Sequence, residues 1–75
     1  MASAQRMNHD DFDLNCCAAD ASQPLSLGEL SKSLRGVNLE SRGKISLKRL
    51  IHQGYIESSA EDRYRITNVG RNALS

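Results

Sequence analysis

Between residues 39 and 54, Leu39, Gly43, Leu47, Leu50 and Ile51 recur at three- and four-residue steps, the spacing that gathers side chains on one helix face. The positions between them carry Ser41, Arg42, Lys44, Lys48, Arg49 and His52, with no acid after Glu40. An amphipathic helix is predicted, apolar inward and basic outward. Asn38 stands where an N-cap is expected and Gly54 where a helix stops. Gly43, in mid-helix, costs about 1 kcal/mol against Ala, and close approach to a neighbouring helix is the simplest reason for it.

Upstream, DDFDLNCCAADA over 10–21 predicts a first helix, with Asp10 and Asp11 favouring its N-terminus. Its apolar stripe is read as Phe12, Cys16 and Ala19, with Leu14, Cys17 and Ala18 beside it. Ser22-Gln23-Pro24 breaks the run, and Leu25 is extended or a very short strand. Ser26-Leu27-Gly28-Glu29 fits a capping box. A second helix over 27–34 then buries Leu27, Leu30 and Leu34, and a turn at 35–38 leads into the basic helix. Helix, turn, basic helix is the order of a helix-turn-helix.

After Gly54 the period drops to two. Residues 55–58 and 63–66 read as strands around the polar turn 59–62. Tyr64 and Ile66 point to one side, and Arg63 and Arg65 to the other. Thr67 is placed to cap a last short segment over 68–74. Residues 1–9 are small and polar and are expected to form a loose tail, leaving 10–75 as one domain, the size a 75-residue chain supports.

Composition narrows the functional classes. Aromatic content is 4% with no Trp, so the core must come from Leu, Ile, Val and Ala. The net charge of +1 hides an asymmetry: up to residue 23, Arg6 faces Asp10, Asp11, Asp13 and Asp20, a net of −3. From residue 24 onward nine Lys or Arg face five Asp or Glu, a net of +4. The basic remainder is compatible with a polyanionic partner. Adjacent Cys16 and Cys17 make no disulfide framework. No signal-peptide core or bilayer-length apolar run is seen, so a cytoplasmic, non-membrane protein is expected. His9, Cys16, Cys17 and His52 lack the paired spacing of zinc ligands, so no metal or other cofactor is expected. Without a phosphate loop, nucleophile elbow or HExxH, an enzyme is not expected either.

The strings LSLGELSKSL and SLKRLIHQGYIE, with DRYRITNVGRNAL and its Thr-x-x-Gly segment, carry a family resemblance. Over residues 10–75 the chain resembles the winged helix-turn-helix fold of small bacterial and phage transcription regulators. That fold is mostly α with a small β-hairpin, in the order helix, short strand, helix, helix, strand, strand, and a short C-terminal turn or helix. Two departures stand out: a slightly long turn before the third helix, and an acidic wing tip, Ala60-Glu61-Asp62.

The resemblance implies a sequence-specific regulator of double-stranded DNA, a homodimer on palindromic sites. The third helix would enter the major groove with Ser41, Arg42 and Lys44 nearest the bases. Arg42 is the expected base reader, its planar fork matching guanine O6 and N7, and Lys48, Arg49 and His52 would meet phosphates. Lys32, Ser33 and Arg35 would clamp the backbone, and Arg63 and Arg65 would reach an adjacent groove. Replacing Arg42 and Lys44 by Ala is expected to abolish sequence preference without unfolding the domain. The alternatives are a winged helix used for protein docking, marked by exposure of Ile45 or Val37, and an antirepressor-type inhibitor whose acidic first segment mimics nucleic acid. For Arg63 and Arg65, surface ion pairing with nearby acids is the competing role.

Overall fold

The computed structural model describes residues 7–74. Within them lie α1 (His9–Asp20), β1 (Leu25–Ser26), α2 (Leu27–Ser31), α3 (Leu39–His52), β2 (Ile56–Ser58), β3 (Arg63–Ile66) and α4 (Asn68–Asn72). The chain is a small mixed α/β protein with four helices and a three-stranded antiparallel sheet. The strand order is β1-β3-β2, with Leu25 opposite Tyr64 and Ile56 opposite Ile66. Of the expected loose tail over residues 1–9, residues 1–6 lie outside the described residues, and His9 belongs to α1. Asn8 already caps α1, accepting from the Asp10 amide at 3.2 Å.

The core is aliphatic, as the lack of aromatics requires. Leu14 and Ala18 of α1, Leu30 and Leu34 of the α2 region, and Leu47 and Leu50 of α3 meet over Tyr55 and Ile56. Each fully buried Leu contributes about 1.5–3 kcal/mol by leaving water. Tyr64 and Ile66 close over this core from β3, while Arg63 and Arg65 face outward.

In α1 the buried stripe is Asp11, Leu14, Asn15 and Ala18, not the expected Phe12, Cys16 and Ala19. Phe12 is 45% exposed. The cause is a pair of buried polar anchors: Asp11 meets α3, and the Asn15 amide donates to the Gly70 carbonyl at 3.1 Å. Ile51, expected inward, sits exposed at the margin of α3.

The capping box at Ser26 forms with both reciprocal hydrogen bonds. The second helix stops earlier than expected, at Ser31. The Ser33 hydroxyl donates to the Leu30 carbonyl at 2.7 Å, and the Ser33 and Leu34 amides bond three residues back. This tighter turn ends the helix, as serines that compete for backbone groups tend to do, yet keeps Leu34 buried. Gly43 has the expected explanation, since a Cβ there would collide with the Ser31 hydroxyl of α2.

Asn38 precedes α3 but makes no side-chain cap; it is left-handed, with φ 56°, a conformation Asn tolerates. At the other end Gly54 has φ 81°. Its amide bonds the Ile51 carbonyl and the Tyr55 amide the Leu50 carbonyl, at 3.0 and 2.9 Å, which is the Schellman closure. Thr67 caps α4 by accepting from the Gly70 amide, and its hydroxyl donates to the Gly54 carbonyl at 2.7 Å. The Thr-x-x-Gly segment thus fastens α4 to the end of α3.

Candidate nucleic-acid interface

At 3.6 residues per turn, Ser41, Lys44, Ile45, Lys48 and His52 fall within about 100° of the circumference of α3. All five are exposed, and the buried Gly43, Ser46, Leu47 and Leu50 lie on the opposite side. Four of the five were expected on this face. The fifth is Ile45, at 58% exposure. The helix's one acid, Glu40, lies in its first turn and off this stripe.

Arg42 and Arg49 do not share it. They sit on the flank of α3 that meets α1. Arg42 Nε and Nη2 donate to the two carboxylate oxygens of Asp10 at 3.1 and 2.8 Å. Its Nη1 donates to the Arg35 and Val37 carbonyls at 2.6 and 2.9 Å. One guanidinium therefore ties α1, the turn at 32–38 and α3 together. The Arg42 hydrogen bonds hold the Asp10 carboxyl below its ordinary pKa, and Asp10 in turn raises that of Arg42. Arg42, expected to read bases, thus lies off the exposed stripe with its planar fork filled by Asp10.

Arg49 is engaged in the same way. Its Nε and Nη2 grip Asp11 at 2.8 and 3.0 Å, and the buried Ser46 hydroxyl donates to the same carboxylate. Hydrogen bonding to Asp11 raises the pKa of Arg49. Asp11 is only 4% exposed, and a buried carboxylate demands a cation and donors. Arg49, expected at phosphates, thus stands paired with Asp11 on the α1 flank, its side chain 44% exposed. The spacing of Asp11, Leu14, Asn15 and Ala18 at i, i+3, i+4 and i+7 was the available signal that Asp11 faces inward.

The hairpin arginines are paired as well. Arg65 Nε meets Glu57 at 2.7 Å, and Arg63 approaches Glu29 at 3.8 Å and the Pro24 carbonyl at 3.4 Å. Their partners are Glu57 and Glu29, not the adjacent Glu61 and Asp62 of the turn. Glu61 and Asp62 are exposed, each at φ 58°. An open cleft of about 560 Å³ between Ala21, Pro24, Glu57, Arg65, Asn68 and Arg71 has this Glu57–Arg65 pair at its wall.

Charge pairing therefore sorts the cations. Lys32, Arg35, Lys44, Lys48 and Arg71 are exposed and form no ion pair among the described residues; Arg71 of α4 donates to the Ala19 carbonyl at 3.4 Å, and the other four make no side-chain hydrogen bond either. All four belong to the segment from the end of α2 through α3. Among the described residues no group of three or more His, Cys, Asp or Glu is arranged to hold a metal, and no helix is long and apolar enough to cross a membrane. Cys16 and Cys17 are free thiols whose pKa burial pushes up, aided by Asp20.

Comparison with protein-family models, curated proteins and solved structures gives no match.

Proposed function

We propose that the chain is a DNA-binding transcriptional regulator of winged helix-turn-helix type, acting where DNA is and not as an enzyme. In this reading α2 and α3 form the helix-turn-helix, the β2–β3 hairpin is the wing, and α3 lies in the major groove. The observation that carries it is the solvent face of α3: Ser41, Lys44, Lys48 and His52 stand together without a carboxylate, while Asp10 and Asp11 of α1 are paired with Arg42 and Arg49. Lys32 and Arg35 extend the unpaired positive charge to the approach of α3. The wing contributes little, because Arg63 and Arg65 are paired and its tip is acidic.

A mobility-shift titration on random-sequence duplex at 50 and 200 mM salt tests the reading. Four phosphate-facing cations predict a slope of log K against log salt of about −3 to −4 per protomer, from about −0.9 per neutralised phosphate. Lys44→Ala with Lys48→Ala should make it shallower by about 2. A flat dependence overturns the proposal. Palindromic sites would be bound by a homodimer, for which the exposed Phe12 of α1 and Val69 of α4 offer apolar surface; sedimentation with and without DNA checks this.

A second reading, docking to another protein without DNA, is favoured by one specific observation. Ile45 and Val37 are 58% and 75% exposed, the property expected of a docking surface. The antirepressor variant would rest on Asp13 and Asp20 of the acidic segment, since Asp10 and Asp11 are paired with Arg42 and Arg49.

A further inference from the structure

Ile45 is an exposed branched aliphatic side chain on a helix face otherwise made of hydroxyl, imidazole and ammonium groups. Lys44 precedes it, Lys48 follows one turn later, and Ser41 stands one turn before. An isolated apolar residue between two lysines is not a contiguous hydrophobic patch, and its surroundings suit a partner that is anionic at its edges with an apolar spot between. The DNA major groove has that character: phosphates line its rims, and the thymine 5-methyl group is its apolar landmark. With Arg42 withdrawn into its ion pair and Lys44 assigned to the phosphates, the groups of the exposed stripe left to face bases from the first half of α3 are Ser41 and Ile45. Of these a hydroxyl discriminates weakly between bases.

Resting on the DNA-binding reading above, we propose that Ile45 is a specificity-determining residue that packs against the 5-methyl group of a thymine, with Lys44 and Lys48 holding the flanking backbone. The discriminating chemistry is then a methyl contact and not a guanidinium–guanine pair. Sites bound by this chain carry a thymine at a fixed position, and 5-methylcytosine substitutes for it better than cytosine does at that step.

The test enriches a duplex pool with a random core on the full chain, then rebuilds the recovered site with deoxyuridine in place of each thymine in turn. Deoxyuridine keeps every hydrogen-bonding group and lacks only the methyl. One thymine, or one symmetry-related pair, is expected to be sensitive, with affinity falling about fourfold per methyl lost, the value of one buried carbon group. Ile45→Ala should bring the thymine-to-deoxyuridine ratio to about one, while leaving the salt slope and thermal unfolding unchanged. Indifference of the wild-type chain to deoxyuridine at every thymine overturns the inference, as does retained discrimination by Ile45→Ala; DNA binding itself then stands. A pool that never enriches and a flat salt dependence overturn both together, and leave protein docking as the role of this face.

Discussion

Two carboxylates on adjacent positions of α1 decide which cations of α3 are free. Asp10 and Asp11 favour the helix N-terminus by charge, but each also fills the fork of an arginine from α3. Removing Asp11 leaves Ser46 without its acceptor and Arg49 without its partner. Asp11→Ala should cost about 1–3 kcal/mol, read from the urea midpoint at constant slope. The thiols of Cys16 and Cys17 make a contrasting prediction. Burial raises their pKa, so less thiolate exists at neutral pH. They should react with a disulfide reagent more slowly in the folded chain than in urea, and equal rates would contradict their environment. The spacing of α1 could have turned Asp11 inward, but its partner was hidden: an acid in a first helical turn has a sufficient local explanation, and nothing adjacent to it announces Arg49, thirty-eight positions away.

Individual elements were legible wherever a local rule sufficed. The α3 period, the Ser26–Glu29 box, the Thr67 cap and the stop at Gly54 all rest on interactions within a few residues. The length of α2 was not legible, because Ser33 bonding back to Leu30 competes with continuation while Leu34 keeps the helical pattern. Asn38 is the N-cap residue of α3 as expected, but left-handed and without a side-chain cap bond, in a turn where Gly36 is also at positive φ and Arg42 binds the Arg35 and Val37 carbonyls. Contact between α2 and α3 depends on Gly43. Gly43→Ala gains about 1 kcal/mol of helix propensity but drives a methyl into Ser31, and overpacking costs about 1–3 kcal/mol. The variant should be net destabilised in thermal unfolding, and Ser31→Gly should restore much of the loss. Additive effects of the two changes would show that the helices do not meet there.

For the molecule as a whole, the link between α1 and α3 makes stability depend on pH. The Asp10 carboxyl is held below its ordinary pKa in the folded chain, so its contribution is present above the ordinary carboxylate value of about 4. It is lost as pH falls through the depressed folded value. Arg42→Ala should lower the thermal midpoint at neutral pH, and its deficit relative to wild type should shrink below about pH 4. A deficit independent of pH would mean that Arg42 stabilises only through the Arg35 and Val37 carbonyls. Replacing Arg42 and Lys44 together was expected to abolish sequence preference without unfolding the domain; the tripartite grip of Arg42 predicts weaker folding as well. Genetic dissection of this protein is affected directly. Under the proposed DNA-binding role, a screen scored only by regulatory output would rank Arg42 beside the lysines, because a helix that loses its brace no longer presents its outer face at a fixed angle. Scoring the same alleles for steady-state abundance would separate the brace from the outer-face lysines.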